Sequence, residues 1–228
     1  MDRNSNQPLS PYYPPLPGYL NRVLDVWQVE RFEWGRQAAR SFPLPEVPLI
    51  EQSRKFEPVA ASCAGRIPQA YLSREVARRA CANAGKRLCS YEEWQTACRG
   101  EKGTKFPYGN DYVAGRCNVY RAVHPARELH GSFSMGHLDP RLNLVDEATG
   151  VPLLLPTGSS AQCVSHWGSD VIYDMVGNLD EWIADDPGMF VGGFYSRNTT
   201  NGCDAKVTNH AATYFDYSTG ARCCRDTL

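Results

Sequence analysis

VIYDMVGNLDEW, residues 171–182, is the stretch from which the rest of the chain is best read. Val171-Ile172-Tyr173 is apolar and predicts a short strand. Asp174 to Glu181 then packs three acids, an Asn and a Gly into eight residues. Such a loop cannot bury its backbone without partners for its N–H and C=O groups. A hard cation is one such partner. Asp174 and Glu181 as carboxylates, with carbonyls between them, form the oxygen-only set that Ca²⁺ prefers. The other reading is a solvated acidic turn, because the spacing is not that of an EF-hand loop. Spacing alone leaves both open.

Bulk composition narrows the setting. The 228 residues suit one domain with an N-terminal extension. A net charge of −1 gives no electrostatic case for nucleic acid or an anionic membrane. No run approaches the ~20 apolar residues of a membrane span. Nine cysteines favour disulfides over spare thiols, and hence an extracytoplasmic protein, periplasmic, secreted or lipid-anchored. The first eighteen residues show neither a basic nor an apolar leader region, so export implies a leader absent from this chain.

Residues 1–18 carry five prolines and no apolar period, and predict an extended or disordered arm before a domain at 19–228. Leu20, Val23, Leu24 and Trp27 fit helical spacing, whereas VWQVERFEW (26–34) fits a strand equally well. Residues 40–60 read as proline-punctuated loop. Ser73 to Asn83 predicts a helix with Val76, Ala77, Ala80 and Cys81 inward, Arg74, Arg78 and Arg79 outward, and Gly85 as its stop. Ser90 and Glu93 form a capping box, predicting a second helix to about Arg99 that buries Trp94, Ala97 and Cys98. From 111 to about 170 the chain reads as loop.

DMVGNLDEW, the GG at 192–193 and the terminal TGARCC (219–224) resemble the formylglycine-generating enzyme, or sulfatase-modifying factor, family. AGKRLCSYEEW (84–94) and ACRGEKGTKFPYGN (97–110) resemble two further blocks of that family, in the same order, so the likeness runs over roughly 56–224. It implies a C-type-lectin-like α+β fold, loop-rich, with two helices packed on small antiparallel sheets. VERFEW resembles the strand that opens the family core.

The resemblance also implies cross-links between the first helix and the terminal strand, Cys81–Cys223, and between the second helix and the segment after GG, Cys98–Cys203. Cys117–Cys163 is a third expectation, and Cys224 then takes Cys89 or Cys63. A zinc site of Cys117, His137, Cys163 and His166 lacks metal-ligand spacing. For calcium, the family pattern maps onto the Asp174 side chain, the carbonyls of Gly177 and Leu179, and the Glu181 carboxylate. Asn118-Val119 resembles the start of a second calcium site.

Family enzymes convert a sulfatase cysteine to formylglycine with two cysteines after GG that hold Cu(I), a soft ion suited to thiolates. Here Arg197 stands at the first position and Gly202 at the second, one before Cys203. The resemblance therefore implies neither copper binding nor formylglycine generation. A three-histidine iron site, used by another branch, finds no support in five scattered histidines. What remains is a candidate ligand surface at 192–217: Tyr195, Arg197, Asn198, Asp204, His210, Tyr214 and Asp216. Such a mixture suits a polar small molecule, a peptide or a partner protein. Its plainer reading is that Phe194, Tyr195 and Tyr214 are core. His210 near Asp216 is a candidate general base. The function expected is a non-catalytic, Ca²⁺-stabilised binding or accessory protein. The alternative is a copper-independent enzyme of the same superfamily acting on a small molecule or peptide.

Overall fold

The computed structural model describes residues 1–17, 23, 43–122, 124–144, 152–185 and 188–226. The helix and strand expectations for 19–34 lie outside these residues, except that Val23 is helical and buried.

Helix α1 is a short turn, Leu49–Gln52. Helix α2, Arg74–Asn83, starts where Ser73 Oγ accepts the Val76 N–H at 3.3 Å. It ends where Lys86 N–H reaches Cys81 O and Gly85 N–H reaches Ala82 O, with Gly85 at φ +67°. That double bond is the Schellman stop, which a left-handed glycine permits. Val76, Ala77 and Cys81 are buried. Arg74 departs from the outward expectation: it is half-buried and donates to the carbonyls of Ile183, at 3.0 Å, and Ala184. Strand β1, Arg87–Leu88, follows, then helix α3, Tyr91–Arg99, whose Ser90/Glu93 capping box is complete and whose Trp94 and Cys98 are buried. Helix α4 is Pro125–His130.

The remaining strands are β2 (Val164–Trp167), β3 (Asp170–Tyr173), β4 (Asp180–Trp182), β5 (Phe190–Val191), β6 (Lys206–Val207), β7 (Thr219–Ala221) and β8 (Cys223–Cys224). They form two two-stranded ladders, β1–β8 and β2–β3, and a four-stranded sheet in the order β6-β5-β4-β7. The sheets are not all antiparallel: β4 and β7 run parallel, because β7 enters beside β4 only after the long 208–218 excursion. The small mixed sheets, short helices and long loops make the α+β architecture.

Four disulfides bind this loop-rich frame. Cys81 is bonded to Cys223, Cys98 to Cys203 and Cys117 to Cys163, and Cys89 takes Cys224. Cys63 is a free, exposed thiol. Cys117 and Cys163 are therefore bonded to each other, and sulfurs in a disulfide are not thiolates that could ligate zinc. Each long closure stabilises by roughly 3–5 kcal/mol in the chain-entropy account. Four such bonds are the chemistry of an oxidising compartment. Among the described residues no helix is long and apolar enough to cross a membrane.

Residues 1–17 are not a disordered arm here. Asp2 is buried and accepts the Glu57 N–H at 2.8 Å, and Tyr13 is buried with its hydroxyl donating to Pro45 O at 2.8 Å. Gln69 Nε2 donates to the carbonyls of Ser10 and Tyr13. Anchors of this kind hold a proline-rich segment readily, since such a chain has little conformational freedom to lose.

Candidate functional site

Strand β4 organises the site. Successive side chains of a strand point to opposite faces, so the adjacent acids Asp180 and Glu181 look in different directions, and each needs its own partner.

On one face, Glu181 accepts from Arg222, with Nε to Oε2 at 3.1 Å and Nη2 to Oε1 at 3.0 Å, and from Trp94 Nε1 at 2.7 Å. Arg222 Nη2 also donates to Tyr173 O at 3.0 Å. Burial opposes the charge of Arg222, but Glu181 and Asp174 together raise its pKa. Asp174 sits at φ +56° and accepts the Gly158 N–H at 2.7 Å. Burial lifts its carboxyl above the usual range, partly offset by that bond and by Arg222. The turn is tight. A Cβ on Gly177 would lie 2.4 Å from Asn118 O, so the two candidate calcium segments touch each other. Asn118 O accepts the Asn178 N–H at 2.9 Å, while its side-chain amide donates to Asn178 Oδ1 and Leu153 O. Asn118 and the buried Val119 thus latch the acidic turn to the 153–155 loop.

For a calcium ion, the donor chemistry around Asp174, the Gly177 and Leu179 carbonyls and Glu181 is oxygen only, and in that respect fits. The charge is partly spent, because Arg222 already lies on both Glu181 oxygens. Among the described residues there is no group of three or more His, Cys, Asp or Glu that would form a denser metal cage.

On the opposite face, Asp180 is fully buried and its Oδ1 accepts from Arg197 Nη1 at 2.7 Å. Its Oδ2 has no hydrogen-bond partner. Burial raises its pKa to about 7; Arg197 opposes the rise and Asp216 adds to it. Arg197 lies over the rings of Phe194, at 5.1 Å, and Phe190, at 5.9 Å. Its position follows from the glycines before it. Gly193 has φ +75°, and a Cβ there would meet Thr199 Oγ1 at 2.3 Å, so the chain turns sharply into 194–197.

The expected ligand surface is only partly assembled. Phe190 gathers Arg197, His210 and Tyr214: His210 stacks on Tyr214 at 3.9 Å between ring centroids and on Phe190 at 5.3 Å. Tyr214 donates to Asp216 Oδ2 at 2.6 Å, so the acid serves the tyrosine and Ser218 rather than His210. The other three lie apart. Tyr195 is buried and donates to Asn143 Oδ1 at 2.7 Å, which makes it core. Asn198 accepts from the Tyr120 hydroxyl at the rim. Asp204 is turned to helix α3, accepting from Arg99 at 2.7 Å and Gln95 at 2.5 Å.

At the two positions after GG, Arg197 is held by Asp180, and Gly202 packs so closely that a Cβ would lie 2.3 Å from Lys105 O. A cysteine side chain at 202 has no room without moving that backbone.

Sequence reasoning passed over Asp180 and Arg222. The signal was available: two neighbouring acids in a strand face opposite ways, and Arg222 is the cation in an otherwise uncharged TGARCC.

Fold and site together define a disulfide-linked, loop-rich α+β domain with an arginine–carboxylate pair on each face of its central strand. The chain belongs to the sulfatase-modifying factor enzyme 1-like domain family, whose profile matches residues 51–227. It is similar to inactive C-alpha-formylglycine-generating enzyme 2 of Bos taurus, 29% identical over 123 residues, 51% of this chain and 32% of that protein. It is likewise similar to the Mus musculus protein of that name, 27% identical over 124 residues, 52% of this chain and 32% of that one. The chain thus spans about a third of the length of these relatives. The crystal structure of CarF aligns over 95% of this chain and 85% of its own, with 15% identity and a TM-score of 0.45.

Proposed function

We propose that the protein is a non-catalytic, disulfide-linked binding or accessory member of its family, working in an oxidising, extracytoplasmic space. Its recognition face is the Arg197 face, suited to a polar small molecule, a peptide or a protein segment. One observation carries this reading. Where a two-thiolate copper centre needs cysteines, Arg197 is tied to the buried Asp180 and Gly202 is closed against Lys105. A guanidinium cannot bind Cu(I), and Cys203, bonded to Cys98, offers no thiolate to form the linear site. The similarity to relatives named inactive supports the same reading. A copper-independent enzyme is less favoured, because His210 stacks on Tyr214 and does not bond Asp216.

The test is incubation with a CxPxR peptide under oxygen with Cu(I) supplied. The peptide should keep its thiol. Loss of the thiol with an aldehyde formed overturns the reading.

A structural Ca²⁺ belongs to the same proposal. Asp174 and the carbonyls of Gly177 and Leu179 would hold it, with Glu181 shared with Arg222 and water completing the shell. Binding to the native state alone stabilises by about 2.7 kcal/mol at a hundredfold excess over Kd. For a domain of this size that is on the order of 5–10 °C in Tm. Melts in millimolar Ca²⁺ and in EGTA that coincide would leave the turn to Arg222 alone.

A further inference from the structure

Away from β4, a cleft of about 450 Å³ opens between the end of helix α3, the 104–109 turn and strand β2. Arg99, Lys102, Arg116 and His166 line it, with Glu101 as the only acid among the lining residues. On a chain of net charge −1, this is a local concentration of positive charge. Lys102 and Arg116 have no carboxylate partner among the described residues. Arg116 instead lies over Tyr108, 5.0 Å from the ring centroid. Arg99 spends one nitrogen on Asp204, while its buried Nε has no acceptor at all. Glu101 is held aside by the Gly168 N–H at 3.1 Å.

The walls are rigid. Arg99 follows Cys98, Arg116 precedes Cys117, and Gln162 and Val164 flank Cys163, so two disulfides pin three sides of the cleft. Gly100 turns at φ +65° against β2, where a Cβ would lie 3.1 Å from His166 O. A cleft whose backbone is held before any ligand arrives loses less freedom on binding.

We propose that this cleft binds a compact polyanion bearing phosphate or sulfate groups, with Lys102 and Arg116 as the direct contacts and Arg99 reinforcing the field behind them. Guanidinium forks and ammonium groups are the side chains suited to such oxyanions. The site is independent of the Arg197 face and stands whether or not that face binds anything.

The experiment is calorimetric titration with two probes, inorganic pyrophosphate and a sulfated disaccharide, at constant ionic strength, on the native protein and on the K102Q/R116Q double variant. Neither substituted side chain has an ion pair to lose, so an unchanged Tm will show that the variant is folded. At least one probe should bind saturably at one per chain and weaken by about tenfold or more in the variant; which probe binds identifies the source of the anion. If neither probe binds, or binding survives the double substitution unchanged, the cleft is not an anion site.

Discussion

The two faces of β4 carry the same chemical pair, an arginine on a carboxylate, and solve it differently. Glu181 accepts three hydrogen bonds, from Nε and Nη2 of Arg222 and from Trp94. Asp180 is more deeply buried, accepts from Arg197 at one oxygen and leaves the other without a partner. The first pair is a closed structural joint between the acidic turn and the terminal strand. The second is under-satisfied, and its arginine stands at the position that the family resemblance gives to the first copper cysteine. Incomplete satisfaction of a buried charge marks a site, and complete satisfaction marks a frame.

The sharpest way to break the comparison is to remove each arginine in turn. Arg222→Gln leaves Glu181 half-buried without its cation, and loss of one partner of such a pair is expected to cost about 3–5 kcal/mol. Chemical denaturation should show this at any pH above the carboxylate range. A cost below about 1 kcal/mol would make the Glu181 joint a surface pair.

Arg197→Gln should cost less and depend on pH. Asp180, with its pKa raised to about 7 by burial, accepts a proton when the arginine is gone. The loss is expected to be about 1–2 kcal/mol at pH 8 and to fade toward pH 5, where Asp180 is neutral in both proteins. Equal costs at the two pH values would contradict the assignment.

Asp180→Asn should have the smallest effect at neutral pH, within about 1 kcal/mol, since the released Arg197 is 34% exposed and reaches water. Its mark is in the slope. A carboxyl whose folded pKa is raised stabilises fully below its unfolded value near 3.8 and loses that contribution as pH rises through about 7. The native protein should therefore lose stability across this window relative to the variant. Glu51, lifted to about 7 by burial, gives the same trend in both proteins and cancels in the difference.

Local chemistry was legible in the sequence. The Gly85 stop and the Ser90–Glu93 box depend on neighbours within one turn of helix, and the structure has both; Ser73, read as the first helical residue, is instead the cap before it. The disulfide pairs were readable only through family resemblance, because spacing does not fix connectivity. What could not be read is what distant segments decide. Tyr195 is core because Asn143 meets its hydroxyl, and Asp204 leaves the Arg197 face because Arg99 takes it. Residues 1–17 are ordered by Asp2 and Tyr13, whose partners lie 55 and 32 residues away. Arg222 escaped notice for the same reason, standing 41 residues from Glu181.

The proposed function rests on an ion pair and a closed glycine standing where a copper centre would need its two cysteines. Its most direct test is a Cu(I) titration against a strong chelator, on the native protein and on Cys63→Ser, which removes the single free thiol. Neither protein should retain copper once the chelator is in excess. One Cu(I) per chain held by the Cys63→Ser variant would contradict the account.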